Sequence, residues 1–405
     1  MNVIATEKLP IKCWLPLKEI EQPEDYVLTP RYKVDIEDEA LQQAKNLANL
    51  PFAFKHVALM PDCHSGYGMP IGGVLATKGV VIPNAVGVDI GCGMCAVETS
   101  LKAQDINETI LKSIIELVRE RIPVGFNHHK TAQIGIPYFG LMHCNSQNSI
   151  VLRELTSAEK QLGTLGGGNH FIEVQADEED NVWVMIHSGS RNLGKKVADH
   201  YNKVAKEINA RWYSSVDPKW DLAFLPIETQ EAKCYMEEMH YCVDFALANR
   251  LHMMNAVKDI FMQVIGCEFG EVINIAHNYA AWENHFGENV IVHRKGAIRA
   301  RKGEIGIVPG SMGTSSYIVR GLGSTQSFNS CSHGAGRKMS RTAAKKSLTV
   351  EGETAKMEGI VHGLKNVSDL DEAPGAYKDI VDVMKLQEDL VEPIVKLRPL
   401  AVVKG

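Results

Sequence analysis

No stretch of this 405-residue chain is apolar for the roughly 20 residues that a membrane helix requires, and the N-terminal MNVIATEKLP has no basic region leading into an apolar one. Neither a membrane location nor export by such a signal is expected, and the chain reads as cytoplasmic. Low-complexity tracts, Pro/Ser linkers and fixed-period repeats are also missing, so nothing marks an internal boundary and one large domain over residues 1–405 is the simplest expectation. Positive charge is not in excess: 43 Lys and Arg stand against 49 Asp and Glu, a formal net charge of -6. That excludes a surface coated in positive potential, but not a local basic track where phosphates lie. The nine cysteines show no small-domain spacing. They read as reduced thiols, any special ones being metal ligands or reactive groups.

What is present is ordinary for a chain with a sizeable core, 45% hydrophobic and 23% charged. Apolar residues recur at three- and four-residue spacing over about 37–49, 106–121, 195–212, 230–265 and 335–347, which predicts amphipathic helices. Strand-like runs lie between them: Phe54 to Met60, Gly73 to Val88, Val182 to His187, Val290 to His293 and Ile305 to Val308. Strands and helices do not alternate strictly, so an α+β fold with a mixed β core and surrounding helices suits the pattern better than a doubly wound parallel sheet.

Asp89-Ile90-Gly91-Cys92-Gly93 places a carboxylate and a thiol three residues apart between glycines that let the backbone close around an ion. Taken alone, it reads more readily as a turn aspartate beside a small buried cysteine. Three histidines change the balance. His170 follows Gly166-Gly167-Gly168-Asn169, His187 ends the run Val182–Ile186 before a Ser-Gly-Ser turn, and His277 follows Asn274-Ile275-Ala276. Five candidate ligands of O, N and S character could hold two divalent ions with the Cys92 thiolate bridging, a mixture that suits manganese or zinc better than calcium or magnesium.

Cys331-Ser332-His333-Gly334-Ala335-Gly336-Arg337 reads as a helix start with free N–H groups, where a phosphate would sit and a histidine could act as nucleophile toward phosphorus. Two basic clusters are phosphate-track candidates: His293 to Gly296 with Arg299, Arg301 and Lys302, and Arg337, Lys338, Arg341, Lys345 and Lys346. Gly189 to Lys196 nearly satisfies the P-loop pattern, but Lys196 stands where Ser or Thr must bind Mg²⁺.

The strings VGVDIGCGM (Val86 to Met94), LGTLGGGNHFIE (Leu162 to Glu173), HSGSRNLG (His187 to Gly194), PGSMGTSSYIVRG (Pro309 to Gly321), CSHGAGRKMSR (Cys331 to Arg341) and the terminal Val403-Lys404-Gly405 resemble the RtcB family of RNA-splicing ligases, in the family's order. PDCHSGYGMPIGG (Pro61 to Gly73) is similar too, with Cys63 where many members carry an aliphatic residue, which puts an oxidisable thiol near the site. The resemblance implies an RNA ligase that uses GTP and two Mn²⁺ ions. Asp89, Cys92 and His170 would bind one ion, and Cys92, His187 and His277 the other. Asn169 and Glu173 would contact guanosine, Lys404 the guanine, and Tyr377 would pack near the base. Asn278, Pro309, Gly310, Ser311, Met312 and Ser316 would help hold the nucleotide, with Gly334, Ala335 and Gly336 beside its phosphate. His333 would take GMP from GTP, and Asp62 would orient or deprotonate groups near it.

By the same resemblance the partner is RNA with a 3′-phosphate or 2′,3′-cyclic phosphate and a 5′-hydroxyl, and an activator of the archease type is the protein partner it raises. Two other outcomes stay open at this point: transfer of GMP to a 3′-phosphate without sealing, and a P-loop-like NTPase or non-catalytic RNA-binding protein.

Overall fold

The computed structural model describes residues 1–20, 31–137, 143–144 and 147–405. Among them two large sheets carry the architecture. The first has six strands in the order Asn2–Ile4, Ile11–Cys13, Ala53–His64, Ile71–Thr77, Glu288–Lys295, Asn278–His285. The second has seven: Ile273–Ala276, Gly93–Lys102, Asn181–Ser188, Phe171–Ala176, Val391–Lys404, Ser316–Gly321, Ile305–Val308. All neighbours are antiparallel except Ile11–Cys13 against Ala53–His64, so the core is the mixed one expected, though its parallel part is small.

The chain crosses from one sheet to the other through a single residue. The chain leaves the edge strand Ile273–Ala276 of one sheet and enters the edge strand Asn278–His285 of the other with only His277 between them. His277 is held there by its amide donating to Cys92 O at 2.8 Å and its carbonyl accepting from the Ala297 amide at 3.2 Å. Behind the seven-stranded sheet runs the helix Gln230–Val264, 35 residues and so about 50 Å long at 1.5 Å per residue. Thr229 caps it by accepting from the Ala232 amide. Its buried face, including Met253, Met254, Val257, Ile260 and Phe261, packs with Val97, Val184 and Ile186 of the sheet.

Four expected helices appear near their predicted bounds, as Asp38–Ala48, Glu108–Arg121, Arg191–Arg211 and Gln230–Val264. The fifth is a correction: the helix begins at Arg341, where Ser340 caps it, and His333 to Ser340 is loop. Gly336, at φ +74°, breaks helical geometry there, and a Cβ on it would strike the backbone of Asp62. His333 therefore does not open a helix, and the expected N-terminal phosphate cradle is not formed by that element. The run Gly73 to Val88 is likewise divided: the strand stops at Thr77, Gly79 turns at φ +71°, and Pro83–Ala85 forms a 3₁₀ turn.

Part of the first basic cluster is corrected as well: His293, Arg294 and Lys295 are buried, while Arg301 and Lys302 are exposed. Arg294 is fully buried, with Nη1 2.5 Å from Glu283 Oε1, Nε donating to Ser330 Oγ at 2.9 Å and Nη2 to Phe328 O at 3.0 Å. Lys295 is buried too, donating to Tyr67 O and Asn84 O, and Arg299 pairs with Glu304. Burial raises the Glu283 carboxyl, but Arg294 and His285 overcome this and hold it at about 2. Its stabilising contribution is therefore present above the ordinary 4.5 and lost as pH falls toward 2. Arg294→Ala strands a buried carboxylate and should cost about 3–5 kcal/mol in denaturant unfolding. A variant with unchanged stability and a reduced salt slope for RNA would return Arg294 to the phosphate track.

Candidate active site

Four of the five metal-ligand candidates sit where a strand of the seven-stranded sheet begins or ends, and Asp89 lies in the bend before Gly93–Lys102. Cys92 precedes Gly93–Lys102, His170 precedes Phe171–Ala176, and His187 is paired with Met94 on one side and Phe171 on the other. Antiparallel pairing therefore brings together residues far apart in the chain. Cys92 Sγ lies 3.4 Å from His170 Nε2 and 3.3 Å from His187 Nε2, and Asp89 Oδ2 lies 3.1 Å from His170 Nε2. The ligand atoms of Cys92, His170 and His187 all fall within 4.8 Å of one another. His277 adds its ring 5.2 Å from that of His187.

The far nitrogens of two of these rings are tied down. His170 Nδ1 faces Leu165 O at 2.9 Å and His187 Nδ1 faces Asn169 O at 3.1 Å, so each Nε2 carries the lone pair toward Cys92. His277 Nδ1 is buried with no hydrogen-bond partner among the described residues. A thiol, a carboxylate and three imidazoles converging with buried, unpaired donor capacity fit a divalent transition ion. Gly189 allows the closeness, since a Cβ there would fall on the Asp89 carboxylate.

Behind the cluster stands a residue that periodicity could not single out. Arg250, fully buried on the long helix, donates through Nη1 to Gly91 O at 3.0 Å and Ser188 O at 2.8 Å, and through Nε to Asn274 Oδ1 at 2.7 Å. It ties the neighbours of Cys92 and His187 together and supplies positive charge beside Cys92 and Asp89.

His333 stands next to this cluster, its ring 4.8 Å from that of His277. Asp62, fully buried on the strand Ala53–His64, presents Oδ2 at 2.6 Å from His333 Nδ1 and accepts the His333 amide at 3.0 Å. The carboxylate holds the proton on Nδ1 and leaves Nε2 as the free ring nitrogen. Asp62 is thus placed to orient the ring. His64, which the sequence did not single out, lines the same cleft and is held neutral, its pKa pushed down to about 4 by burial and by the neighbouring His333 and Lys378.

The cleft itself is about 850 Å³ and is lined by Asn169, Glu173, Pro309, Gly310, Ser311, Met312, His333, Gly334, Ala335, Gly336, Tyr377 and Lys404, among others. That volume accommodates a nucleotide. Burial raises the Glu173 carboxyl to about 7, against the lowering pull of Lys404 and Gln175. Lys404 lies 5.5 Å over the Phe171 ring and 3.6 Å from Glu372. Glu372 is a second residue the sequence gave no signal for: it also accepts from Tyr377 Oη and pairs with Arg341 at 2.5 Å and Arg337 at 3.4 Å. Two expected nucleotide contacts lie behind the lining. Asn278 donates to Asp89 O at 3.0 Å and accepts the Gly296 amide at 2.7 Å, and Ser316 Oγ accepts the Gly310 amide at 3.2 Å. Both brace the walls.

The P-loop reading does not survive the geometry. Arg191 to Lys196 are the first turns of the helix Arg191–Arg211, Gly194 is buried against Ser190 and Ile90, and Lys195 pairs with Asp199 on the outside. Cys63 is not a reactive thiol either, because burial pushes it up to about 12.

Burial and the Asp89 charge push the Cys92 thiol well above its ordinary value, while burial and neighbouring imidazoles hold His187 and His277 well below theirs. At neutral pH the rings are already deprotonated and the thiol is not. Adding Mn²⁺ to metal-free protein at pH 7 should therefore release roughly one proton per Cys92, and affinity should rise with pH. Buffer-dependent binding heats measure this; no proton release would remove Cys92 from the ligand set.

The family model described as "tRNA-splicing ligase RtcB" matches residues 43–405. The chain is 39% identical to "RNA-splicing ligase RtcB" of Escherichia coli K12, over all of this chain and 99% of that one. It is 33% identical to "tRNA-splicing ligase RtcB" of Nanoarchaeum equitans and 31% identical to that of Thermococcus kodakarensis, each over 91% of this chain and 92% of the relative. With the family model matching residues 43–405 and the likeness to the Escherichia coli protein running through the whole length, the chain belongs to the RtcB family.

Proposed function

We propose that the protein joins RNA ends, using GTP to activate a 3′-phosphate for attack by a 5′-hydroxyl. The observation that carries this is the Asp62–His333 pair set beside a Cys/His cluster, a nucleophile oriented by a buried carboxylate next to ligands for a divalent ion. The names of the relatives, which are RNA-splicing or tRNA-splicing ligases, support the same reading.

His333 Nε2 attacks the α-phosphorus of GTP; a P–N bond forms, the bond to the β-phosphate oxygen breaks, and pyrophosphate leaves. Nε2 uses its lone pair and has no proton to lose, while Nδ1–H stays hydrogen-bonded to Asp62 and the positive ring is offset by that carboxylate. An oxygen of the RNA 3′-phosphate then displaces His333 from the phosphorus, restoring the free imidazole and leaving GMP on the RNA end. A 2′,3′-cyclic phosphate must first add water and open. Finally the 5′-hydroxyl attacks the activated 3′-phosphorus, loses its proton, and GMP departs. Two manganese ions, one held by Asp89, Cys92 and His170 and one by Cys92, His187 and His277, would supply Lewis-acid neutralisation of the phosphate oxygens. Asn169, Glu173, Tyr377 and Lys404 would hold the guanosine, with the Pro309 to Met312 and Gly334 to Gly336 backbones beside its phosphates.

GTP labelled at the α-phosphate should mark the wild-type protein through an acid-labile bond and leave His333→Ala unmarked. Asp62→Asn, which keeps the shape but loses the charge, should slow labelling about a hundredfold or more. Equal labelling of His333→Ala would overturn the assignment. With RNA bearing a 3′-phosphate and a 5′-hydroxyl, a longer product is expected; a guanylated 3′ end that persists would replace sealing by capping.

A further inference from the structure

The turn that follows the strand Ala53–His64 exposes an aromatic ring whose place the chemistry of His333 does not explain. Tyr67 is 75% exposed although it lines the same cleft as His333, and its ring has no aromatic or cationic partner among the described residues. A ring left in water at a cleft contributes nothing to the core, and burying one removes about 150–250 Å² from solvent.

The backbone beneath that ring is held from several sides. The Ser65 amide donates to Glu37 Oε2 at 3.0 Å and the Gly66 amide to Gln43 Oε1 at 3.1 Å, while Gln43 Nε2 donates back to Gly66 O at 2.5 Å. The buried Lys295 ammonium donates to Tyr67 O at 2.6 Å. Gly68, at φ +67°, packs so closely on Asp221 that a Cβ would meet its carbonyl. The ring is thus carried bare on a rigid turn, and little ordering cost remains for whatever lands on it.

Tyr67 enters the cleft from a different sheet than two of the expected guanosine contacts. Glu173 and Lys404 belong to strands of the seven-stranded sheet, whereas Tyr67 follows a strand of the six-stranded sheet, three residues beyond His64. Unpaired RNA bases are commonly held by stacking on such aromatic faces, which is tolerant of sequence because every base has a π-face. We propose that Tyr67 is the stacking platform for the unpaired base of the terminal nucleotide at the RNA end being joined. This rests on the ligase reading above.

The test compares wild type, Tyr67→Phe and Tyr67→Ala with 3′-phosphate and 5′-hydroxyl oligonucleotides, each with a normal or an abasic terminal nucleotide, by fluorescence binding and by KM and kcat for joining. Loss of the ring should raise Kd and KM for one oligonucleotide roughly tenfold to a hundredfold with kcat little changed, and Tyr67→Phe should behave as wild type. The abasic nucleotide should weaken wild type by a similar factor and add nothing in Tyr67→Ala. Whichever arm shows this non-additivity, 3′ or 5′, identifies the strand that stacks. Unchanged Kd and KM in Tyr67→Ala, multiplicative losses with the abasic oligonucleotide, or a raised KM for GTP would each overturn the proposal. Labelling of His333 by GTP should be unaffected by Tyr67→Ala. If wild type itself is not labelled the ligase reading fails instead, while direct binding still reports on stacking.

Discussion

The buried carboxylate of Asp62 under the ring of His333 is the contact on which the rest of the site depends. A carboxylate removed from water is costly unless its oxygens are satisfied, and here Oδ2 takes both the Nδ1 and the backbone amide of the same residue, while Oδ1 has no partner among the described residues. Imidazole and backbone are thereby held as one unit, which fixes which nitrogen is free and where it points. The surrounding chain accommodates this. Gly336 admits the Asp62 backbone at a distance that no side chain would allow, and Gly296 packs against the edge of the His333 ring.

The Cys/His cluster obeys the same logic at the join of the two sheets. Its members come from four places in the chain, and hydrogen bonds to backbone carbonyls orient His170 and His187 toward Cys92. Arg250 sets a guanidinium behind them, bonded to the carbonyls of Gly91 and Ser188. A buried positive charge at that point lowers the cost of gathering Asp89 and the Cys92 sulfur in a region of low dielectric. His277, the single residue between the edge strands Ile273–Ala276 and Asn278–His285, joins this cluster to His333 by ring contact on both sides.

Charge is spent internally in a way that the net value conceals. Arg294 neutralises Glu283 in the core, and Lys295 pins two carbonyls. Glu372 gathers Arg337, Arg341, Tyr377 and Lys404 into one network along the cleft. The cations that face the cleft are thus held in place by a carboxylate before any ligand arrives, which is the preorganisation that phosphate recognition favours.

How much of this could be read in advance depended on whether the signal was local. Long amphipathic helices such as Gln230–Val264 and strands such as Ile305–Val308 are written in the spacing of apolar residues, and the glycine-flanked Asp89, Cys92, His170, His187 and His333 stand out by residue type and family resemblance. The helix Ile150–Gln161 has only the capping signal of Ser149 and the short apolar run after it to announce it, and the helix starts at Arg341 rather than 335 because the Gly336 turn outweighs apolar spacing. Arg250, Glu372, His64 and the burial of Arg294 were beyond reach, since a charged residue on a strand or helix looks the same in sequence whether it faces water or a carboxylate. Residue type by itself determined what chemistry the chain can perform; only tertiary structure decided which charges meet, because burial and pairing are properties of positions that are distant in the chain and adjacent in space.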